Sequence, residues 1–462
     1  MPILGAILTP HPPVLLPEVG RGREREIGAT GQAMRAAARE VARWNPDVLI
    51  VASPHTVMYR DYFHIAPGEG AAGNMSAFGA PQVRLEVEYD APLRDEIVRL
   101  AQDAGLEAGT LGQRNPALDH GVLLPLTFLR GAGVDCPIIR MGLADFSALD
   151  HYRMGRCVAE AVEALGRRAV FVASGDLSHK LKADGPYGFA PEGPVFDTAV
   201  TDAMASGDFL QFLTMDPTLC HQAAECGLRS FQMMAGALDG LAVEPRLLSH
   251  EGPFGVGYAV ALFPVTGQDE SRRYAPVLQQ ARRTRLAEER TREDAWVRLA
   301  RLSLETCVRT RRTLDKLPEG LPQELTDHTA GAFVSLHVDG RLRGCIGTIA
   351  PTRENVAWEI VQNAVSAGTR DPRFPEVQAQ ELDDLEYSVD VLGEPEPVDS
   401  AAQLDPRQYG VIVSCGQRRG LLLPDLEGVD TVEQQLDIAR HKGGISPQEP
   451  YQIQRFRVVR HR

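Results

Sequence analysis

The sequence predicts an α/β domain with a central sheet flanked by helices, followed by a smaller α+β domain. In the first half of the 462 residues, short runs rich in Val and Ile alternate with longer helical patterns, as in sheets covered by helices on both faces. In the last third, strand and helix patterns mix without regular alternation, which favours α+β. The length fits two or three domains at roughly 100 to 200 residues each.

The β-rich runs of the first domain are each bounded by turn residues. A helical pattern from Ala33 to Trp44 precedes the second run, and a Gly- and Ala-rich segment from Pro67 to Ser76 is expected to be a surface loop. The predicted strands are Ile3 to Leu8, Val48 to Ala52, Pro137 to Met141, Ala169 to Ala173 and Gly257 to Phe263.

A segment from Gly267 to Asp294 is dense in Arg and Glu and has little that could fill a core. Because acids interleave with the arginines, the pattern favours a solvated helical connector over a nucleic-acid patch. We therefore predict one domain over 1–266, a charged linker over 267–288 and a second domain over 289–462. The second domain is expected to contain, in order, a helix from Ala295, strands at Ala332 to Val338, Tyr387 to Leu392 and Gly420 to Leu423, and a helix at Val432 to His441.

Composition excludes several classes of protein. The formal net charge of -14 argues against a general nucleic-acid binder. The seven cysteines form no CxxC pair and are odd in number, which fits a reducing cytoplasm better than a disulfide framework. The N-terminal residues do not have the pattern of a signal peptide, and no long apolar run predicts a membrane span.

Three histidines directly follow predicted strands of the first domain. His11 lies in TPHPP, His55 in SPHT and His179 in SGDLSH. In open α/β sheets, ligands bind in the crevice beyond the carboxyl ends of the strands. A lone histidine is more often structural, but three in the same topological position are expected to converge on one crevice.

The residues around these histidines favour a metal site. Prolines flank His11 and precede His55, which makes the backbone rigid at both strand ends. An iron(II) ion that keeps positions open for substrate and oxygen needs an anionic third ligand beside two imidazoles. Glu225, at the start of a helix predicted from Glu225 to Leu238, is the best carboxylate candidate. The alternative for Glu225 is an acid that stabilises the helix N-terminus.

Five motifs occur in order over about 265 residues, TPHPP, SPHT, LDHGVLLPL, SGDLSH and AAECGLRSF. In this order they resemble the class III (LigB-type) extradiol dioxygenases, in the branch that includes the Memo proteins. The resemblance implies that His11, His55 and Glu225 bind Fe(II). It also implies that His179 acts as the acid/base and that His120 contacts bound oxygen.

The implied reaction is extradiol ring cleavage of a catechol- or aminophenol-like substrate by O2. Cys226, directly after Glu225, leaves an alternative open, because Memo-like proteins have a cysteine at about this point of the site. Two histidines and a thiolate would favour copper or zinc and a Memo-like accessory or redox protein without ring cleavage. Asp176 is either a carboxylate that orients a histidine or a turn residue. A third interpretation is an interaction domain whose crevice binds no metal. The resemblance also implies a possible homo-oligomer, since LigB-like domains often associate.

The second domain carries LRGCIGT, NAVSAGTRDPRFP and YSVDVL, and over nearly its full length it resembles the AMMECR family. Cys345 in the first motif is a candidate thiolate if nearby Arg343 lowers its pKa, or otherwise a small buried residue. Asp371, Arg373 and His441 are polar candidates for the same pocket. The fusion resembles AmmeMemoRadiSam systems, which implies a separate radical S-adenosylmethionine partner, since this chain has no CxxxCxxC cluster.

Overall fold

A computed structural model describes residues 2–112, 115–426 and 428–462. The chain forms two compact units, the first ending at Gln280 and the second running from Ala281 to Arg462. The first is α/β and the second is α+β, so the predicted fold class is confirmed. Helix α10, Ala275–Arg292, covers most of the predicted charged linker. None of the described helices is long and apolar enough to cross a membrane.

The first unit alternates strands and helices along most of its length. Its strands are β1 (Ile3–Thr9), β2 (Val48–Ser53), β3 (Phe63–His64), β4 (Gly70–Met75), β5 (Ala80–Glu88), β6 (Ala108–Gly109), β7 (Ile138–Gly142), β8 (Ala169–Ser174), β9 (Leu241–Val243), β10 (Arg246–Glu251) and β11 (Tyr258–Gln268). Its helices are α1 (Pro17–Gly20), α2 (Gly28–Trp44), α3 (Ala91–Asp103), α4 (His120–Gly131), α5 (Ala148–Ala164), α6 (Glu192–Ser206), α7 (Leu210–Leu213), α8 (Pro217–Ala223) and α9 (Leu228–Ala237).

The central sheet has the strand order β10-β11-β1-β8-β2-β7, with β9 also paired to β11. The strands β1, β8, β2 and β7 are parallel, whereas β11 and β10 add antiparallel pairs at one side. The strands β2, β7 and β8 are buried along their whole length, and β1 is buried except at Leu4, which explains why the sequence shows continuous apolar runs there.

Two hydrophobic cores cover the two faces of this sheet. On β8, Phe171 belongs to the core that contains α5 and α9, while Val172 belongs to the core that contains α2 and α4. Successive side chains of a strand point to opposite faces, so both faces of β8 need apolar residues. The rigid sheet fixes the positions at which its strands end.

The prediction of a surface loop at residues 67–76 is wrong in part, because this segment contains β4, which pairs with β5. Gly73 is required there, since a Cβ on it would lie 2.6 Å from the carbonyl oxygen of Leu118. Glycine is depleted in strands, so a strand that needs glycine for close packing looks like a loop in sequence.

The second unit contains two four-stranded antiparallel sheets, ordered β13-β12-β14-β19 and β15-β18-β16-β17. Helices α11 and α13 contribute to the core against the first sheet. The strands are β12 (Ala332–Val338), β13 (Arg341–Gly347), β14 (Glu386–Leu392), β15 (Glu396–Val398), β16 (Gly410–Cys415), β17 (Arg418–Leu422), β18 (Gln452–Phe456) and β19 (Val458–His461). The helices are α11 (Ala295–Thr310), α12 (Gln323–Thr326), α13 (Val356–Thr369) and α14 (Val432–Lys442).

Candidate metal centre

Parallel strands bring two of the predicted histidines together. β1 and β8 end side by side, with Thr9 opposite Ser174, and β2 ends at Ser53 on the other side of β8. His11 and His55 each follow two residues beyond their strands. Side chains from both flanks therefore meet above the end of β8, at the carboxyl edge of the sheet.

Cys226 reaches the same point from the loop between α8 and α9. The loop passes close to the end of β8, since a Cβ on Gly175 would lie 2.1 Å from the Cα of Gly227. Ala224, which ends α8, has a φ of 52°, in the left-handed region that side chains rarely adopt. This turn and the two glycines place the Cys226 thiol over the histidines.

His11, His55 and Cys226 offer ligand atoms that all lie within 4.8 Å of one another. The Nε2 atoms of the two histidines are 3.0 Å apart, and Cys226 Sγ lies 3.7 Å from His11 Nε2. Nitrogen and sulfur ligands bind zinc at about 2.0 to 2.3 Å, so two ligand atoms of one ion lie roughly 3 to 4 Å apart. The donor set and its spacing therefore fit a single metal ion.

Asp176 connects the His11 segment to Cys226. Its Oδ1 accepts the backbone N–H of His11 at 2.8 Å, and its own N–H donates to Cys226 Sγ at 3.3 Å. Burial raises the pKa of Asp176 to about 6 and raises that of the Cys226 thiol well above its usual range. Asp176 thus holds the backbone of a candidate ligand in place, and its Oδ2 also lies 3.8 Å from Nε2 of the same histidine.

Glu225, the preferred carboxylate ligand in the sequence analysis, lies elsewhere. Its Oε2 accepts the backbone N–H of Leu228 at 2.7 Å, at the start of α9. This is the helix-stabilising role that the sequence left open. The structure therefore groups the alternative ligand, Cys226, with the two histidines, and a metal-binding role for Glu225 stays a prediction.

His120 lies beside the two histidines, with its ring centroid 4.1 Å from that of His55 and 5.4 Å from that of His11. It is the first residue of α4, whose N-cap is Asp119. Burial lowers the pKa of His120 to about 4, so the ring is neutral near neutral pH and can accept or donate one hydrogen bond at each nitrogen. His120 thus lies next to the candidate ligands, and its contact with bound oxygen stays a prediction.

His179 lies on the segment after β8, and its ring stacks on Tyr187 with centroids 5.0 Å apart. Its backbone N–H donates to the carbonyl of Ala223, the last residue of α8. Burial lowers the pKa of His179, and the nearby Asp176 opposes this effect. Tyr187 and Ala223 thus hold His179 in place, and its acid/base role stays a prediction.

In the second unit, Arg343 is not the cation that acts on Cys345. Its guanidinium pairs with Glu381 at 2.8 Å and donates to a backbone carbonyl. Burial raises the pKa of the Cys345 thiol, while a hydrogen bond from Ser335 and the charge of Arg373 act in the opposite direction. The premise that a nearby Arg343 makes Cys345 a thiolate therefore finds no support in the geometry.

Sequence reasoning missed three residues that build the first site. Ser174 contacts His11, Asp119 contacts the segment of His55, and Tyr187 stacks on His179. Two of them lie inside quoted motifs, Ser174 in SGDLSH and Asp119 in LDHG, and could have been found by asking what orients each imidazole. Tyr187 has no such signal, because it reaches His179 only through folding of an exposed segment.

Comparison with family models assigns both units. Residues 5–261 match the family described as the catalytic LigB subunit of aromatic ring-opening dioxygenase. Residues 297–461 match the AMMECR1 family. The order of the two matches along the chain is that expected from the motifs.

Two relatives and one solved structure are similar to this chain over all or part of its length. A protein of Clostridium acetobutylicum is 40% identical over 469 residues, which cover 100% of both chains. A protein of Thermotoga maritima is 52% identical over 172 residues, 37% of this chain and 98% of that one. The crystal structure of an uncharacterised protein from Pyrococcus horikoshii is similar at 30% identity and a TM-score of 0.34, covering 36% of this chain and 88% of that one. This chain belongs to the family of the catalytic LigB subunit of aromatic ring-opening dioxygenases, and an AMMECR1 domain follows its LigB domain.

Proposed function

We propose that the first unit is a metal-dependent oxidoreductase that holds one transition-metal ion through His11, His55 and Cys226. The observation that carries this proposal is the convergence of two imidazole nitrogens and one thiol sulfur within 4.8 Å. A set with one thiolate is softer than two histidines and a carboxylate, and it suits copper, zinc or a thiolate-bound iron. When bound, such an ion would supply a Lewis acid and, if it is iron or copper, a redox centre.

The other residues of the crevice have separate tasks in this proposal. His55 is exposed, whereas His11 is only 2% exposed, so the ion would be reached from the side of His55. His179 and His120 stand beside the ligands and provide imidazoles that can take a proton from a substrate hydroxyl or hold an oxygen atom. The stacked Tyr187 keeps the His179 ring in one orientation.

The test is the metal content of the full chain purified without oxygen. We expect about one ion per chain, because the three candidate ligand atoms lie close enough together to hold a single ion. Cys226→Ser should lose most of it. Glu225→Gln should keep it, since an amide oxygen can still accept from Leu228. Cys220→Ser is the matched control, because it changes another half-buried cysteine on the adjacent helix.

Cobalt substitution gives a second readout that does not depend on activity. A thiolate ligand produces a sulfur-to-cobalt absorption band in the near ultraviolet. We expect the band in the original chain and in Cys220→Ser, and its loss in Cys226→Ser. Metal retained in Cys226→Ser, or no metal in the original chain, would overturn the proposal.

A second candidate is Fe(II)-dependent extradiol cleavage of a catechol or aminophenol. It is favoured by the match to the ring-opening dioxygenase family and by the two further histidines, His120 and His179, beside the ligands. It requires Glu225 to leave Leu228 and join the ligand set. Oxygen uptake with a panel of catechols and aminophenols separates the two candidates. Ring cleavage that is lost together with iron in Glu225→Gln would establish the second candidate over the first.

A further inference from the structure

A large cavity of about 1040 Å³ lies in the second unit, between strands of its two sheets. Its lining residues come from β12, β13, β14 and β17, and from the part of α10 that belongs to this unit. Small-molecule sites have volumes of about 300 to 1,000 Å³. The cavity is therefore large enough for a molecule of cofactor size, and it is independent of the metal centre in the first unit.

One wall of the cavity is the outer face of β12. Val334 and Leu336 point to the buried core, whereas Phe333, Ser335 and His337 alternate with them and line the cavity. This face of β12 therefore borders a large, partly open cavity instead of a flat solvent-exposed surface. This face is shaped as the floor of a site.

A row of small polar side chains crosses that floor. The strand register places Cys345 and Ser388 on either side of Ser335. Ser335 Oγ donates to Cys345 Sγ at 3.2 Å, while the Ser388 hydroxyl has no hydrogen-bond partner among the described residues. The row can donate to and accept from a polar group of a ligand.

Apolar side chains form much of the remaining wall. Phe333 and Ile349 lie with Leu421 and Leu423 against a small core that joins the two sheets. All four line the cavity. An apolar or aromatic part of a ligand would be buried there, which is the main favourable term for a small molecule in a concave site.

Charge at the cavity is unbalanced. The lining contains eight Arg or Lys residues but four Asp or Glu residues. Each acid is already paired with an arginine; the pairs are Glu293–Arg301, Asp390–Arg460, Glu289–Arg285 and Glu386–Arg285. Among the described residues, four lining cations have no carboxylate within 4.0 Å; they are Arg292, Arg419, Lys442 and Arg462. All four side chains are exposed, so water screens their charge in part, but their excess over the acids still attracts an anion towards the cavity.

A buried polar atom adds an independent observation. Tyr387 borders the cavity and is only 6% exposed, but it pairs with Leu336 and therefore points to the core side of the sheet. Its hydroxyl has no hydrogen-bond partner among the described residues. A buried hydroxyl without a partner is unfavourable, so a polar partner is expected to reach it. The second unit thus has a polar row and excess positive charge at one cavity, and a buried hydroxyl without a partner behind the floor of that cavity.

We infer that this cavity binds a small organic anion, with its carboxylate, phosphate or sulfonate group at Arg419 and Lys442 and its apolar part against Phe333 and Leu421. The four cations without carboxylate partners favour a negatively charged ligand. The apolar wall favours an organic anion over an inorganic one. This site is separate from the metal centre, so metal loss in Cys226→Ser leaves it intact.

Two fluorescent probes test the inference in the full chain. 8-Anilinonaphthalene-1-sulfonate carries a sulfonate on an aromatic body, and N-phenyl-1-naphthylamine has the same ring system without the charge. The double variant Arg419→Gln with Lys442→Gln should bind the sulfonate about tenfold more weakly and the neutral probe unchanged. Arg407→Gln is the control, because it removes an exposed arginine of the same unit that does not line the cavity.

Alkylation of Cys345 locates the bound probe. Iodoacetamide modification, followed by peptide mass spectrometry, should slow at Cys345 when the sulfonate is present. Cys415 is the internal reference, since it is half-buried in the same unit but lies outside the cavity. Equal sulfonate affinity in the double variant, or unchanged alkylation of Cys345 at saturating probe, would overturn the inference. Melting temperatures of the variants confirm that each is folded.

Discussion

Ser174 Oγ lies 3.0 Å from His11 Nδ1 and donates its single hydrogen to the carbonyl of Gly121 at 2.6 Å. Since that hydrogen is already used, the serine oxygen can only accept from the imidazole. His11 Nδ1 must therefore carry the hydrogen, and the lone pair of Nε2 points towards His55 and Cys226. One hydroxyl at the end of β8 thus selects the tautomer that can bind a metal.

Ser174→Ala should weaken metal binding by about tenfold or more, because contacts that orient a metal-binding histidine typically contribute 10- to 100-fold to affinity. Competition with a chromophoric chelator measures the affinity. Ser303→Ala is a matched control, since Ser303 is also fully buried and donates to a backbone carbonyl in the second unit. Equal affinity in Ser174→Ala and the original chain would mean that the tautomer is selected in another way.

Asp119 supports His55 from both sides. Its carboxylate accepts from Ser53 Oγ at 2.9 Å and from Thr56 Oγ1 at 2.8 Å, and it also accepts from the N–H of Val122 as the N-cap of α4. Asn is an equally good N-cap, but it has one acceptor oxygen in place of two. Asp119→Asn should therefore keep the helix, put an N–H donor where the carboxylate accepted from Thr56 Oγ1, and weaken metal binding several-fold.

The control for Asp119→Asn separates stability from metal binding. Ser147→Ala removes the N-cap hydrogen bond of α5 and should cost about 1 kcal/mol of unfolding free energy without changing metal affinity. Isothermal titration with zinc and urea unfolding measure the two quantities. If both variants lose stability and neither loses affinity, Asp119 does not position His55.

The sequence was sufficient to locate His11 and His55, because both follow buried parallel strands, and strand ends are visible as the end of an apolar run. It was not sufficient to choose between Glu225 and Cys226. That choice depends on the backbone at Ala224 and on the approach of Gly175 to Gly227, a contact between residues far apart in the chain. Adjacent side chains point in different directions, so a local pattern cannot decide which one faces the crevice.

Helix α9, which follows Cys226, packs unusually close to α5. A Cβ on Gly155 would lie 1.9 Å from the carbonyl oxygen of Met233. Gly155→Ala must separate the two helices and should cost about 1 to 3 kcal/mol of stability. Because α9 begins just after the Cys226 loop, metal affinity should fall as well.

Gly131→Ala gives the opposite result. Gly131 ends α4, and a Cβ there would meet no atom within 4 Å. The substitution should be neutral or stabilise the chain by up to about 1 kcal/mol, because alanine loses less conformational entropy in a helix. Thermal unfolding of both variants checks the pair. Similar melting temperatures for Gly155→Ala and Gly131→Ala would contradict the close packing of α5 and α9.

In the second unit, the fold class could be predicted and the contacts of Cys345 could not. The strand from Ala332 to Val338 shows an alternating pattern, and the helix from Ala295 has an apolar face. Arg343 is close to Cys345 in sequence, but it pairs with Glu381, 38 residues further along the chain. The turn after Asp371 brings Arg373 to Cys345 instead, so the cation nearest in sequence is not the cation nearest in space.

Asp371 should make the stability of the second unit depend on pH. Hydrogen bonds from Arg373, partly opposed by burial, lower the pKa of Asp371 from 3.8 to about 2. A carboxyl with a depressed folded-state pKa contributes stability above its unfolded pKa and loses it as the pH falls through the folded value. Asp371→Asn should therefore destabilise the unit by on the order of 1 to 2 kcal/mol near pH 7, and the difference from the original chain should shrink between about pH 4 and pH 2.

Urea unfolding in a Trp44→Phe background measures this difference, because the two remaining tryptophans, Trp296 and Trp358, both lie in the second unit. Asp430→Asn is the control, since Asp430 is exposed and its carboxylate has no ion-pair partner among the described residues. The free energy of unfolding of Asp430→Asn should equal that of the original chain at every pH. A difference for Asp371→Asn that stays constant as the pH falls would show that the lost hydrogen bonds do not depend on the charge of the carboxylate.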